Sequence, residues 1–135
     1  MARAQIRLAA DEHTVGRVTG WIKRFCEQHQ LSRSLADALT LSLEEIVSNI
    51  VMHGYERQPG ILSIELHYDR RAFSMVIEDG GKAFDPTQAA TQPTGDTLAS
   101  RREGGLGLLL VKTMMDDIMY QRAGAINRLK LVKRL

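Results

Sequence analysis

The sequence predicts an α+β two-layer sandwich in which a mixed, mostly antiparallel sheet is covered on one face by helices. Three observations lead to this prediction. Apolar residues alternate with period two in some segments, they recur every three or four residues in others, and tight turns join successive strand-like segments. The resulting order is βα, α, ββ, loop, α, ββ. A chain of 135 residues has room for one compact domain, 1–135.

Composition and charge argue against several classes of protein. Hydrophobic residues make up 44% and charged residues 25% of the chain, which is a globular composition. The net charge of +2 provides no basic field that would attract nucleic acid, and a single cysteine, Cys26, cannot form an intramolecular disulfide. Residues 1–11 lack the apolar run of a signal peptide, and the apolar run 106–111 is far shorter than the roughly 18 residues that span a membrane. We therefore expect a cytoplasmic protein with no direct nucleic-acid or membrane partner.

The first third of the chain is predicted to form a strand and two helices. Residues 5–8 alternate as in a half-buried strand, and Asp11 then offers an N-cap for a helix. Ser34, with Asp37 three residues later, resembles the capping box of a second helix, which Gly54 is well placed to end. Both helices carry apolar residues at helical spacing: Val15, Val18, Ile22 and Phe25 in the first, and Leu35, Leu39, Leu43, Ile46 and Ile50 in the second.

A hairpin, a long loop and a helix are predicted next. Period two over residues 61–79, interrupted by the polar turn 69–71, predicts an antiparallel hairpin. Residues 80–104 show no sustained period, and a loop of about 25 residues inside a compact domain is usually functional. Residues 108–115 are apolar enough to form a buried helix.

Two strands are predicted at the end of the chain, 118–122 and 126–133, joined by a turn at residues 123–125. Basic residues alternate with apolar ones in the last strand, where Lys130 and Lys133 are separated by leucine and valine. This alternation predicts the solvent face of an edge strand.

A polar strip runs along the second predicted helix. Glu45, Asn49 and His53 are spaced by four residues, so they lie on one helix face. Asparagine favours caps and turns over helix interiors, so Asn49 calls for a buried hydrogen bond or a ligand. The alternative is an ordinary solvated polar face.

Two glycine-containing motifs flank the predicted loop. Asp79 ends a strand on the same side as its apolar residues, and Gly80 and Gly81 would let a flat ligand approach the backbone. The glycine-rich run 104–107 precedes an apolar helix, whose free N–H groups favour an anion such as phosphate. The alternatives are an ordinary Asp-Gly turn and a flexible connection. Walker A, protein-kinase His-Arg-Asp and HExxH motifs are absent from the sequence.

In this order the motifs resemble those of the Bergerat-fold (GHKL) ATPase superfamily. Four boxes of that superfamily have counterparts here: the N box at residues 45–49, the first glycine box at Asp79-Gly80-Gly81, the ATP lid at residues 86–103 and the second glycine box at Gly105-Leu106-Gly107. Three further runs are similar to the anti-sigma-factor serine kinases, namely Glu44 to Asn49, His53-Gly54-Tyr55 and Phe84-Asp85-Pro86.

The resemblance implies a role for each matching position. Glu45 would be the general base, Asn49 would coordinate a Mg²⁺ ion that bridges the ATP phosphates, and Asp79 would bind the adenine amino group. Gly81 would give the adenine room, and Asn127 would be a polar residue near the adenine. The remaining residues of the implied ATP site are His53, Phe84, Arg101, Arg102, Gly105, Leu106, Gly107 and Leu108, of which Gly105, Gly107 and Leu108 would offer backbone N–H groups to phosphate.

The sequence departs from the family at two places. Ala83 replaces a glycine of the first glycine box, and Glu103 and Gly104 stand where some members carry a lid arginine that neutralises the γ-phosphate. Arg101 or Arg102 would then have to supply that charge, because phosphoryl transfer depends on charge neutralisation.

The function implied is that of an ATP-dependent anti-sigma-factor serine/threonine kinase. Such a kinase binds a sigma factor and phosphorylates a small anti-anti-sigma (STAS-type) protein, and the resemblance also implies a homodimer. A nucleotide-gated partner-switching module without appreciable kinase activity is the alternative, since the lid arginine is altered. A third possibility is a structural domain that binds no nucleotide.

Overall fold

The computed structural model describes residues 1–89 and 106–135. Helices and strands follow one another along the chain in an order that matches the prediction. They are β1 (Ala2–Ala9), α1 (Thr14–Gln28), α2 (Arg33–Asn49) with a π-helical turn (Ile50–Gly54), β2 (Ile61–Tyr68), β3 (Ala72–Asp79), the short α3 (Pro86–Ala89), α4 (Leu106–Met114), β4 (Asp117–Ala123) and β5 (Ile126–Arg134).

The five strands form one sheet in the order β1-β2-β3-β5-β4, and every pairing within it is antiparallel. The predicted α+β class is confirmed, and the sheet is fully antiparallel in the described part of the chain. The predicted position of the last strand at an edge is wrong, because β5 lies between β3 and β4. Arg128 and Lys130 lie on the open face, where Arg128 Nη1 is 3.5 Å from Glu78 Oε2. Lys133 instead lies on the core side of β5, paired with Phe73 of β3. Alternation of polar and apolar residues indicates which face of a strand meets solvent, but it does not indicate whether the strand pairs with neighbours on both sides.

One face of the sheet carries the core and the helices. Phe73, Met75 and Ile77 of β3 are buried on this face. Successive turns of α1 and α2 pack against them through the apolar positions that the sequence predicts, which include Val18, Ile22, Phe25, Leu39, Leu43 and Ile46. The opposite face carries mostly polar residues.

None of the described helices has the length and apolar character needed to cross a membrane.

Both predicted helix caps are misplaced by two residues. In α1 the N-cap is His13, and Asp11 instead accepts the His13 N–H at 2.7 Å, which stabilises the turn before the helix. In α2 the cap is Ser32, whose Oγ accepts the Leu35 N–H at 3.2 Å. Ser34 therefore lies inside the first turn of the helix.

The first strand begins at Ala2, three residues before its predicted start, and the other boundaries agree with the prediction to within two residues. Gly54 ends the π-helical turn that continues α2. In the hairpin turn, Asp69 Oδ1 accepts the N–H groups of Arg71 and Ala72, which lowers the pKa of Asp69. The predicted long loop begins with residues 80–85 and α3, and residues 90–105 lie outside the described part.

Candidate functional site

A cavity opens where the end of α2, the end of β3, the start of α4 and the last hairpin meet. It encloses about 410 Å³, counted with its open mouth. It is lined by residues from all of these elements: Ile46, Asn49, Ile50, Gly54, Asp79, Lys82, Phe84, Pro86, Leu108, Tyr120, Asn127 and Leu129. Its lining combines an apolar wall with a few polar groups, as in small-molecule sites generally.

Asp79 is the buried acid of this cavity. It ends β3 on the core side, as predicted, and is only 6% exposed. Its Oδ1 accepts the Gly81 N–H at 2.9 Å and the Asn127 Nδ2–H at 3.0 Å. None of the described hydrogen bonds reaches Oδ2. A buried carboxylate needs hydrogen-bond donors, and the second oxygen is left for a donor on a ligand.

Gly81 is required by a close approach of two backbone segments. A Cβ at this position would lie 2.7 Å from the carbonyl carbon and from the oxygen of Gly54. The same two segments are joined by a hydrogen bond of 2.8 Å from Lys82 N to Gly54 O. The turn after Asp79 is thereby fixed to the end of α2.

Tyr55, for which no role was predicted, also holds the turn after Asp79. Its hydroxyl accepts the Gly80 N–H at 2.7 Å and donates to Ile61 O. Arg122 Nη1 adds a third restraint by donating to Gly81 O at 2.9 Å. These contacts join residues far apart in the chain, so no local sequence signal could reveal them.

Asn127 and Tyr120 form the wall opposite α2. Asn127 is 6% exposed and donates through Nδ2 to Asp79 Oδ1 and, at 2.9 Å, to Lys82 O. Tyr120, which the sequence analysis did not single out, donates its hydroxyl hydrogen to Asn127 Oδ1. Asn127, which the resemblance implies to lie near the adenine, is thus in contact with Asp79, the residue implied to bind the adenine amino group.

Asn49 lines the cavity from the end of α2, and Glu45 lies one helical turn earlier in that helix, outside the cavity lining. Asn49 Nδ2 is buried and has no hydrogen-bond partner among residues 1–89 and 106–135. The Glu45 carboxylate lies directly against Gly107 of α4, because a Cβ on that glycine would be 2.1 Å from Glu45 Oε2. An unsatisfied buried amide beside a carboxylate is the kind of site that a polar ligand completes.

Only some of the other candidate residues line the cavity. Phe84, 40% exposed, and buried Leu108 line the cavity, whereas His53 lies in the π-helical turn outside the cavity lining. Leu106 begins α4, which places the free N–H groups of that helix start beside Glu45. Three predicted residues, Arg101, Arg102 and Gly105, lie outside the described residues.

A magnesium ion fits this site only together with a nucleotide. The described segments contain no group of three His, Cys, Asp or Glu side chains that could hold a metal ion. Mg²⁺ commonly takes one or two protein oxygens and completes its octahedron with phosphates and water, and the amide oxygen of Asn49, a cavity-lining residue, is of the type it takes. The unpartnered Asn49 Nδ2 is a donor, which suits a phosphate oxygen.

Comparison with known proteins gives a consistent result. Residues 8–133 match the family model described as the histidine kinase-like ATPase domain. The serine/threonine-protein kinase BtrW of Bordetella bronchiseptica is 35% identical over 112 residues, which cover 82% of this chain and 79% of that protein.

Two other relatives carry related names. The anti-sigma F factor of Clostridium kluyveri is 30% identical over 87 residues, covering 64% of this chain and 61% of that protein. The serine-protein kinase RsbW of Staphylococcus epidermidis is 34% identical over 104 residues, covering 70% of this chain and 64% of that protein. The chain thus spans somewhat less than two thirds of the length of these two relatives.

Among solved structures, a Mycobacterium tuberculosis protein with RsbU and RsbW domains superposes with a TM-score of 0.69. The match covers 100% of this chain and 33% of that one, at 15% identity. At that identity the likeness establishes the fold alone.

Proposed function

The chain belongs to the family of histidine kinase-like ATPase domains, and from this membership we propose that it is an ATP-dependent protein serine/threonine kinase of the anti-sigma type. It holds a sigma factor and phosphorylates a hydroxyl group of a small anti-anti-sigma protein of the STAS type. The observation that carries the proposal is the contact between Glu45 and Gly107, with the cavity-lining Asn49 one helical turn away from Glu45. A carboxylate is thereby held at the start of the helix whose N–H groups suit phosphate.

The nucleobase occupies the end of the cavity at Asp79. The exocyclic amino group of adenine donates to Asp79 Oδ2, while Oδ1 stays engaged with Gly81 and Asn127. Leu108 and Leu129 supply apolar contacts to the ring. The phosphates extend towards α4, where Leu106, Gly107 and Leu108 begin the helix.

Glu45 acts as the general base. It accepts the proton of the partner's hydroxyl group as that oxygen attacks the γ-phosphorus, and the bond from the γ-phosphorus to the bridging oxygen breaks so that ADP leaves. A positioned base accelerates such a step by about 10² to 10⁴. Glu45 is half-buried and adjoins Gly107, which suits a group that must reach the γ-phosphate.

Asn49 is the residue that would hold Mg²⁺ through its amide oxygen. When bound, the ion neutralises phosphate charge. The amide nitrogen of Asn49, which is buried and has no partner among the described residues, would at the same time donate to a phosphate oxygen. The side chain itself orients the phosphate end of the nucleotide relative to Glu45.

The partner assignments rest on the names of the relatives, which include an anti-sigma F factor and two serine or serine/threonine kinases. We also propose a cytoplasmic location, where sigma factors act, and assembly as a homodimer. Arg101 or Arg102 is proposed to provide the positive charge of the missing lid arginine.

The test is a phosphoryl-transfer assay with a matched pair of variants. The purified protein is incubated with Mg²⁺ and [γ-³²P]ATP and, one at a time, with the STAS-type proteins encoded in its own genome. We expect one of them to be labelled on serine or threonine. Glu45→Gln should reduce the rate by about 10² to 10⁴ and leave ATP affinity intact. Glu44→Gln, which alters the neighbouring carboxylate about 100° around α2 from Glu45, should retain the rate.

Three outcomes separate the alternatives. Equal rates for Glu45→Gln and the unmodified protein would exclude Glu45 as the base. ATP binding without labelling of any STAS-type protein would favour the nucleotide-gated module, which the Glu103-Gly104 departure from the lid pattern suggests. Absence of nucleotide binding would contradict both functions.

A further inference from the structure

We propose that Tyr120 is a positioning residue that selects the nucleobase, because it fixes the Asn127 amide and, through it, the Asp79 carboxylate in an orientation that accepts an amino group and rejects a keto group. The proposal rests on the proposed function, since it concerns the base end of the same site. It depends on three side chains joined by hydrogen bonds, those of Tyr120, Asn127 and Asp79. Tyr120 donates to Asn127 Oδ1, and Asn127 donates through Nδ2 to Asp79 Oδ1 at 3.0 Å.

The orientation of the Asn127 amide follows from its four neighbours. Its Nδ2 faces three acceptors, which are Asp79 Oδ1, Lys82 O at 2.9 Å and, more distantly, Gly81 O at 3.4 Å. Turning the amide over would place its oxygen against these acceptors and its NH₂ against the Tyr120 hydroxyl. An amide has two N–H donors, so the carboxylate and the Lys82 carbonyl use both of them.

As a result, Asn127 has no hydrogen left to donate to a ligand. Beside Asp79, the polar groups that remain for a ligand are acceptors, namely Asp79 Oδ2 and the second lone pair of Asn127 Oδ1. Two donors also line the cavity: the largely exposed Lys82 ammonium group, 3.7 Å from Glu56 Oε1, and Asn49 Nδ2, which the proposed function assigns to the phosphate end. A purine with an amino group at position 6 donates to the acceptors beside Asp79. A purine with a keto oxygen there would place its acceptor against two others, and the buried polar groups would stay unpaired.

Removal of the Tyr120 hydroxyl releases the Asn127 oxygen. The three acceptors still face its nitrogen, so the amide does not turn over, but with its oxygen unbound it rotates more freely, and an N–H can tilt away from them towards a keto oxygen of the ligand. The same rotation weakens the hold on Asp79 Oδ1. Tyr120 itself is a half-buried residue of the edge strand β4, so the change leaves the hydrophobic core of the sheet in place.

The experiment compares ATP with inosine triphosphate, which carries a keto oxygen where adenine carries the amino group. Dissociation constants of both nucleotides with Mg²⁺ are measured by calorimetry for the full chain. The variants are Tyr120→Phe, Asn127→Ser and the double variant. Tyr68→Phe is the matched control, because this tyrosine lies in the aromatic cluster with Phe73, away from the cavity lining.

We expect the unmodified protein to prefer ATP, and Tyr120→Phe to reduce the ATP-to-ITP preference by about three- to tenfold, the range for one neutral hydrogen bond. Asn127→Ser should reduce the preference at least as much. The double variant should equal Asn127→Ser, because Tyr120 acts through Asn127. Tyr68→Phe should keep the preference. A residue with only a structural role would weaken both nucleotides equally and leave their ratio unchanged.

Other results would overturn the inference. A preference within twofold of the unmodified protein in Tyr120→Phe, or in Asn127→Ser should the first variant fail to fold, would contradict it while leaving ATP binding intact. Equal affinity of the unmodified protein for the two nucleotides would do the same. Failure of the unmodified protein to bind either nucleotide would overturn the proposed function as well.

Discussion

The carboxylate of Glu45 and the backbone of Gly107 are in contact between two helices that are far apart in the sequence. A Cβ on residue 107 would lie 2.1 Å from Glu45 Oε2 and 2.9 Å from Glu45 Cδ. Real Cβ atoms do not approach other atoms so closely, so only glycine allows Glu45 to keep this position. The second glycine box therefore makes room for the proposed base, in addition to any contact with phosphate.

Gly107→Ala should lower the rate of phosphoryl transfer while the protein stays folded. The atoms that the new Cβ meets belong to the far end of a flexible side chain, so we expect Glu45 to move aside and the fold to survive. The phosphoryl-transfer rate should fall at least tenfold, within the range for losing a positioned base. Gly16→Ala in α1, whose Cβ would meet nothing within 4 Å, is the control and should retain the rate. Parallel transfer assays and thermal unfolding test this; an unchanged rate for Gly107→Ala contradicts it.

Asn49→Ala should stabilise the free protein while abolishing its response to Mg²⁺ and ATP. The substitution removes a buried amide nitrogen that has no described partner and introduces a better helix former. The unmodified protein should gain about 2.7 kcal/mol at 100 times the Kd of the nucleotide, which raises the Tm of a domain this size by several degrees. Thermal unfolding with and without ligand measures both effects. Ser48→Ala, in the same turn, should keep the ligand response; a full response in Asn49→Ala would remove Asn49 from the site.

Gly81 and Gly80 should differ sharply in their tolerance of alanine. At Gly81 the added Cβ meets Gly54 backbone atoms at 2.7 Å, which cannot move aside, whereas at Gly80 the nearest atom is the Tyr55 hydroxyl at 3.5 Å. We expect Gly81→Ala to cost about 1–3 kcal/mol of unfolding free energy, as overpacking does, and Gly80→Ala to cost much less. Urea denaturation provides the comparison, and equal costs would show that the two backbone segments are not in contact.

The cap of α2 can be located by two serine substitutions. Ser32→Ala removes the oxygen that accepts the Leu35 N–H and should cost about 1 kcal/mol. Ser34→Ala, inside the first turn, should be nearly neutral, because alanine is a good helix former. Chemical denaturation of both variants distinguishes the cap in the structure from the one that the sequence suggested. The reverse ranking would restore Ser34 as the cap.

Cys26 should make the free energy of unfolding decrease as the pH rises in the alkaline range. Burial, assisted by the negative charge of Glu27, raises the pKa of this thiol from 9.0 to about 11. Because the thiolate forms more readily in the unfolded chain, the stabilisation is complete below pH 9 and is lost as the pH rises to about 11. Between these limits the unfolding free energy should fall by about 2 kcal/mol more than in Cys26→Ala. Urea denaturation at several pH values checks this, and parallel curves would contradict it.

Local patterns were sufficient to predict most of the fold. Period two correctly placed Asp79 on the core side of β3, and helical spacing placed Glu45 and Asn49 on one face of α2. Caps were less predictable, since Ser32 and Ser34 both precede the apolar residues and only tertiary packing decides which one begins the helix. The strand order was beyond local patterns, because β5 inserts between β3 and β4 through long-range pairing.

The site was predictable only where its residues form short motifs. The contacts that hold the turn after Asp79 come from elsewhere in the chain. Tyr55 is 25 residues from Gly80, and Asn127 is 48 residues from Asp79. Such contacts depend on the completed sheet, so the run His53-Gly54-Tyr55 did not indicate what Tyr55 contacts, and Tyr120 belongs to none of the motifs.

Residues 79–82 are restrained from two separate parts of the fold, the end of the π-helical turn at Gly54 and Tyr55 and the last strand at Asn127. Ordering a residue costs about 1–2 kcal/mol in backbone entropy, or roughly 4–8 kcal/mol for a segment of this length. Because folding has already met this cost, a ligand that binds against the segment loses little affinity to conformational ordering. Affinity at the base end therefore depends on how firmly the native state holds the segment, and it can be weakened by variants that never touch the ligand.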